Sequence, residues 1–337
     1  MRILDGLEAL PDLERDQGCV ATVGVFDGVH LGHFMVLRRV VDRARELGTR
    51  PVMVTFARHP KAVLLGHAPP TITSLEHRLV LFERAGIETT LVLDFTDELR
   101  GLTAEQFVRR VLLDGLGLRE LIFGFDSKFG RDRGGNPESL RPLAEELGFG
   151  IEEVQPVALG ERPVSSTFVR EAVQLGDLQA AARMLGRPVS LLGTVVPGDR
   201  LGRELGFPTA NLRPHHELRP PHGVYLAMVL HQEQLHPAVV NIGERPSLAG
   251  KEVRIEAHLL DFEGDLYQQV LEVFLLERLR PEREFPDMDA LRTAIGQDVD
   301  EARGRLPELL QSWRIPGRYL PIEGGSAEEL AAPDSRC

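Results

Sequence analysis

Two histidines three residues apart, His30 and His33, lie inside the string Gly24-Val25-Phe26-Asp27-Gly28-Val29-His30-Leu31-Gly32-His33. Imidazole N–H groups can hold phosphoryl oxygens as negative charge builds up in a transition state. Upstream, Cys19 to Val23 is a short apolar run that reads as a buried strand. Downstream, Phe34, Val36, Leu37, Val40, Val41, Ala44 and Leu47 recur at helical spacing. The histidines therefore sit on a glycine-rich turn between a strand and a helix start. A helix start offers unpaired N–H groups to an anion, with Phe26 and Asp27 in the approach. Gly24, Gly28 and Gly32 let the backbone turn sharply and come close to a ligand. The string lacks the Lys-Ser/Thr of a Walker loop and the spacing of a dinucleotide fingerprint. As a metal pair the histidines have no Cys or carboxylate cluster to support them.

Four further stretches carry polar groups that could do chemistry. Ser165, Ser166 and Thr167 open a predicted helix, with Arg170 one turn in. Capping explains one hydroxyl; three hydroxyls and an arginine suit a phosphate. After a predicted strand at Glu120 to Gly124 comes a glycine-bearing loop with the cations Lys128, Arg131 and Arg133. It reads either as a solvated loop or as a wall for a phosphate-bearing substrate or an adenine ring. His59-Pro60, after the strand Pro51 to Phe56, reads by itself as a turn. Within Gly202 to Asn211, the Thr209 hydroxyl and the Asn211 amide project to one side of an extended chain. Both present oxygen, which suits Mg²⁺ and its phosphate ligands. A turn held by the same two side chains accounts for the pair equally well.

The elements that must position these groups change character part-way along. Up to Gly186-Arg187-Pro188, strands and helices alternate, which implies βαβ units and a parallel sheet. Beyond it, short strands separated by Gly- and Pro-bearing turns suggest a small closed antiparallel barrel. We place the domains at 1–186 and 187–310, with 322–337 expected to be a disordered tail, since it is polar and small-residue-rich. At 337 residues the chain is long enough for two separate cores. A net charge of −12 argues against a nucleic-acid partner, whose phosphates need Lys and Arg. The two cysteines do not suggest a disulfide framework. The N-terminus carries Arg2, Asp5 and Glu8 with no sustained apolar segment, and no apolar run reaches membrane-spanning length. A cytoplasmic setting without membrane contact is expected. The oligomeric state stays open.

Taken together and in this order, the H-x-G-H string, Thr55-Phe56-x-x-His59-Pro60, the Gly124 to Gly130 loop and Ser165-Ser166-Thr167-x-x-Arg170 resemble the adenylyltransferase half of the prokaryotic bifunctional riboflavin kinase/FAD synthetase family. The second half resembles the riboflavin kinase domain through Gly206-Phe207-Pro208-Thr209-Ala210-Asn211, Asn241-Ile242-Gly243-x-Arg245-Pro246, Glu256-Ala257-His258 and Leu279-Arg280-Pro281-Glu282-x-x-Phe285. The resemblance implies a Rossmann-like α/β nucleotidyltransferase domain followed by a six-stranded antiparallel Greek-key β-barrel with a C-terminal helix. It implies that riboflavin and ATP give FMN, and that FMN and a second ATP give FAD and pyrophosphate, with Mg²⁺ as the divalent ion.

By the same resemblance, the His30/His33 and Ser165/Arg170 segments bind ATP phosphates, and His59, Asp126, Lys128, Phe129 and Arg131 help form the nucleotide and flavin site. Gly206, Pro208, Thr209 and Asn211 hold Mg-ATP, and Glu256 is the base at the ribityl hydroxyl. Arg280, Glu282 and Phe285 border the flavin. The family often has Asp-Phe-Arg-Phe-Gly where this chain has Asp126-Ser127-Lys128-Phe129-Gly130, so an aromatic is missing at Ser127. Two narrower readings stay open: a kinase alone, and a flavin-binding module without turnover.

Overall fold

The computed structural model describes residues 1–12, 17–199, 201–247 and 250–312. The tail expectation at 322–337 falls outside the described residues. The chain divides into two compact units. One comprises Met1–Pro69 and Leu75–Ser165; the other comprises Pro70–Ser74 and the chain from Ser166 onward.

The first unit is a six-stranded parallel sheet of β1 (Arg2–Asp5), β2 (Cys19–Val23), β3 (Arg50–Phe56), β4 (Thr89–Leu93), β5 (Leu118–Gly124) and β6 (Gly150–Val154), in the order β1-β4-β3-β2-β5-β6. A further hairpin joins β7 (Ala158–Leu159) to β8 (Arg162–Pro163). Its helices are α1 (Leu31–Leu47), α2 (Pro60–Leu65), α3 (Leu75–Arg84), α4 (Asp97–Gly101), α5 (Ala104–Phe107), α6 (Asp114–Leu116) and α7 (Pro137–Leu147). Period-two alternation splits the strands between two cores. Val20, Met53 and Ile122 face α1 and α3, against Val36, Leu37, Val40 and Phe82. Ala21, Val23, Val52, Val54 and Leu121 face the opposite way, against Val108, Val111, Leu112 and Leu140. Burial on both faces leaves every residue of β2 and β4 buried, including Thr22, Thr89 and Thr90. The order reverses between β2 and β5, so their C-terminal ends flank the crevice where open parallel sheets bind ligands.

The second unit is built on a closed antiparallel barrel, β10-β13-β12-β11-β14-β9. Its strands are β9 (Val189–Val196), β10 (Ala210–Pro214), β11 (Gly223–His231), β12 (Gln234–Ser247), β13 (Gly250–Leu259) and β14 (Val270–Pro281). Helices α8 (Ser166–Leu175) and α9 (Leu178–Leu185) precede it, α10 (Leu201–Glu204) lies between β9 and β10, and α11 (Met288–Ser312) follows. Sequence reading sets the boundary at Gly186-Arg187-Pro188, whereas the compact units divide between Ser165 and Ser166. The physical reason is burial. Val169, Val173, Ala181 and Leu185 of α8 and α9 share one apolar core with Val189, Leu191 and Leu275 of the barrel. Pro70–Ser74 belongs to the same unit: Ile72 enters that core, and Thr71 N–H donates to Glu217 at 2.9 Å.

Candidate active sites

In the first unit, β2 ends at Val23 and the chain reaches α1 through a strained turn. Phe26, Gly28 and Val29 have φ of 52°, 83° and 40°. Glycine adopts such angles freely; a β-branched valine does so only under constraint. The constraint is a buried guanidinium. Arg78 of α3 donates from Nη1 to the Val25 carbonyl (2.7 Å) and to Thr55 Oγ1 (3.1 Å), and from Nη2 to the Phe56 carbonyl (3.1 Å). It thereby ties the loop after β2 to the end of β3. Its Nε is buried with no partner among the described residues. Burial pulls the Arg78 pKa below its ordinary value, while Asp27 and Glu76 oppose that shift.

His30 caps α1, and its Nδ1 accepts the His33 backbone N–H at 3.4 Å. An accepting Nδ1 leaves the proton of the neutral ring on Nε2. The His30 and His33 rings stack at 3.7 Å between centroids, and His33 stacks on Phe26 at 4.4 Å. A Cβ at Gly32 would lie 3.2 Å from His30 Cε1, so glycine leaves room for the capping imidazole. Likewise a Cβ at Gly24 would press on the Phe26 ring at 2.8 Å. Burial, with His30 and Arg78 adding positive charge nearby, holds the His33 pKa well below 6.5. His33 is thus a neutral donor at physiological pH. Asp27 and His30 are both buried.

The other expected residues distribute unevenly. The Val164 carbonyl, one residue before Ser165, lies 4.0 Å from where a Gly32 Cβ would stand, so the chain enters the Ser-Ser-Thr segment beside the α1 start. Ser166 and Thr167 form the first turn of α8, and Arg170 Nε donates to the Pro70 carbonyl at 2.9 Å. His59 follows the end of β3 and its carbonyl accepts from Ala62. Asp126 pairs with Lys128 at 3.3 Å, and Arg131 is exposed. Phe129 points inward. It is 8% exposed, stacks on Phe123 at 5.8 Å and packs on Phe107, so it anchors the loop to the core.

In the second unit the polar groups converge on a cavity of about 270 Å³ on the barrel. Asn211 of β10, Glu256 of β13 and Asn241 of β12 lie side by side in register across three adjacent strands, and all line it. Thr209 lines it too. A Cβ at Gly198 would overlap the Asn211 amide, and one at Gly202 would lie 3.1 Å from Thr209 Oγ1. Both glycines therefore leave room for these side chains. His258 Nδ1 donates to the Pro208 carbonyl at 2.8 Å, holding the strand that carries Thr209. The turn before it is reached through Gly206, with φ 89°.

Elsewhere on the cavity wall, Arg280 is clamped by Asp298 of α11 through two hydrogen bonds of 2.7 Å. The guanidinium carbons of Arg280 and Arg283 lie 5.6 and 4.9 Å from the Phe285 ring centroid, and Glu282 also lines the cavity. Among the described residues no trio of His, Cys, Asp or Glu side chains is grouped as a metal site. The Thr209 and Asn211 oxygens fit a hard cation that takes its remaining ligands from phosphate and water.

Sequence reasoning gave no role to Arg78 or Asp298, and it quoted Asn241 only within a motif, without placing it beside Glu256. Arg78 had a signal: it shares the buried stripe of α3 with His77, Leu81 and Phe82, and a charge on such a stripe demands buried partners.

Comparison with known proteins gives the family. A family model described as FAD synthetase matches residues 12–168, and one described as riboflavin kinase matches residues 185–306. The bifunctional riboflavin kinase/FMN adenylyltransferase of Pseudomonas fluorescens is 42% identical over 304 residues, spanning 90% of this chain and 97% of that protein. The chain belongs to this family. The protein of the same description from Escherichia coli K12 is 35% identical over 305 residues, spanning 90% of this chain and 97% of that one. A crystal structure of a macrolide-efflux protein from Streptococcus pneumoniae matches with a TM-score of 0.78 at 29% identity, covering 90% of this chain and 99% of that one. No described helix is long and apolar enough to cross a membrane.

Proposed function

We propose that the barrel phosphorylates riboflavin and the α/β unit adenylylates the resulting FMN, with the residue roles that follow. The chain is a bifunctional riboflavin kinase and FMN adenylyltransferase that uses ATP in both steps. The observation that carries the residue assignment is the row Asn211, Glu256, Asn241 in one cavity with Thr209. A carboxylate between two carboxamides has fixed neighbours and one task for its charge.

In the kinase step the ribityl 5′-hydroxyl attacks the γ-phosphorus of ATP, its proton passes to a Glu256 oxygen, and ADP leaves. Thr209 and Asn211 hold the phosphates together with Mg²⁺, which when bound screens their negative charge. Phe285, stiffened by Arg280 and Arg283, borders the flavin, and Glu282 lines the same end.

In the second step a phosphate oxygen of FMN attacks the α-phosphorus of the second ATP and pyrophosphate leaves. Neutral His33, His30 through Nε2–H, and the first N–H groups of α1 donate to oxygens that gain charge. Gly24, Phe26, Asp27, Gly28 and Gly32 shape that cradle. Ser165, Ser166, Thr167 and Arg170 bind further phosphate oxygens. His59, Asp126, Lys128 and Arg131 border the nucleotide, while Phe129 holds their loop in place. A reducing intracellular compartment fits the buried Cys19 thiol, pushed up to about 12 by its burial.

Incubation with riboflavin, ATP and Mg²⁺, with chromatographic separation of the products, tests the reading. FAD and FMN together are expected. FMN alone would remove the adenylyl step, and no product would leave a flavin-binding module.

A further inference from the structure

The loop after β5 turns its two phenylalanines opposite ways. Phe129 is packed against Phe123 and Phe107, whereas Phe125 is 58% exposed. A tight turn holds Phe125 outward: Ser127 N–H donates to the Gly124 carbonyl at 3.0 Å, and Asp126 takes a φ of 61°. Such a turn needs a positive φ at its third residue, and Asp tolerates it better than most. The Asp126–Lys128 pair braces the same turn.

The position of the turn is informative. β5 borders β2 at the point where the strand order reverses. Gly124 backs onto α1, where an added Cβ would stand 3.1 Å from Val36 Cγ2. Phe125 thus follows directly on the end of β5 that flanks the crevice after β2, the strand that leads into the His30–His33 turn. A ring kept in water forfeits its burial, and at a ligand crevice its free face is a stacking surface. Gly124, Asp126 and Ser127 leave Phe125 the one ring on this turn.

We propose that Phe125 is the stacking platform for the planar heteroaromatic ring of an adenylyl-transfer substrate. The inference rests on the adenylyltransferase reading of this unit. Two substrates carry such a ring, the isoalloxazine of FMN and the adenine of ATP, and kinetics separates them.

The test uses the full chain with Phe125→Ala and Phe125→Tyr. FMN adenylylation is measured against FMN at saturating ATP, and against ATP at saturating FMN. Phe125→Ala should raise one KM about tenfold with kcat changed less than about twofold. Phe125→Tyr should stay near wild type. A rise for FMN assigns the isoalloxazine, and a rise for ATP assigns the adenine. Riboflavin phosphorylation by the same variants should be unchanged, which reports on folding. Two unchanged KM values, or a fall in kcat alone, would overturn the proposal.

A binding readout separates this inference from the adenylyl reading itself. Phe125→Trp should show saturable indole quenching by FMN or by ATP beyond that of wild type, whose one tryptophan is Trp313. Excess quenching in a protein that does not turn over FMN would uphold the platform while removing the activity. No excess quenching with either probe would overturn the platform.

Discussion

The two proposed sites bring their polar side chains together by opposite means. In the barrel, Asn211, Glu256 and Asn241 are neighbours because three strands run in register, and none of them has a positive φ. In the α/β unit, His30 and His33 are neighbours because a turn with three left-handed residues delivers the chain to a helix start. Non-glycine residues in such conformations cost roughly 1–3 kcal/mol each. Buried hydrogen bonds from Arg78 hold that turn. A strand-built site separates chemistry from stability, since its side chains stand on a ladder that forms without them. A loop-built site couples the two, since the rings proposed to do its chemistry are also its packing.

The largest expected effect tests the strand-built side. Glu256→Gln keeps the shape and removes the base, so FMN formation should fall about a thousandfold. FAD formation from supplied FMN and the thermal unfolding midpoint should both be unchanged. Near-normal phosphorylation would take Glu256 out of the mechanism. A drop in the midpoint would mean the ladder does depend on it. Next in size is His33→Ala, which should slow adenylyl transfer roughly a hundredfold while riboflavin phosphorylation persists. Here the midpoint should fall too, because the Phe26 and His30 rings each lose a stacking face. Equal loss of both activities in a folded variant would contradict separate sites.

This contrast also explains what could be read in advance. The parallel sheet, the barrel and the string from Gly24 to His33 were legible because apolar periodicity and glycine spacing are local signals. The extents of β11 and β12 were not. They meet at Gln232 and Glu233, with φ of 47° and 66°, a left-handed hairpin turn that carries neither Gly nor Asn. The role of Arg78 and the place of Asn241 beside Glu256 were not legible for a different reason. Their partners arrive from distant strands, and a single side chain does not announce what the sheet order will place beside it. The inward ring of Phe129 belongs with these, because its core neighbours Phe107 and Phe123 come from elsewhere in the chain.

The division between Ser165 and Ser166 supplies a test of smaller effect. A C-terminal fragment beginning at Arg187 loses Val169, Val173, Ala181 and Leu185 from the barrel core, and with them several kcal/mol by the ~1.5–3 kcal/mol usual for a buried aliphatic side chain. A fragment beginning at Ser166 keeps them. Both should make FMN, since every proposed kinase residue lies later in the chain. The longer fragment should resist more denaturant, read from the urea midpoint by circular dichroism. Equal midpoints would show that α8 and α9 add nothing to the barrel. An inactive, folded Ser166 fragment would mean the kinase site needs the α/β unit.

The smallest effect concerns pH and should appear on the loop-built side alone. The His33 imidazole has a folded-state pKa well below its ordinary 6.5, because burial and the neighbouring His30 and Arg78 disfavour its charged form. Above about pH 6.5 both folded and unfolded chains hold it neutral, and it adds no pH dependence. Below that value the unfolded chain takes up a proton that the folded one refuses. The α/β unit should therefore lose stability as pH falls from 6.5 toward the folded-state pKa, by at most about 1.4 kcal/mol per pH unit from this group. His33→Gln removes the titrating ring, so its unfolding midpoint, though lower at pH 7, should fall less between pH 7 and pH 5 than that of the parent. The barrel fragment, which lacks His33, gives the reference slope. Parallel slopes for parent and variant would mean that His33 takes up its proton without unfolding, and the buried neutral donor assigned to adenylyl transfer would have to be replaced by a charged one.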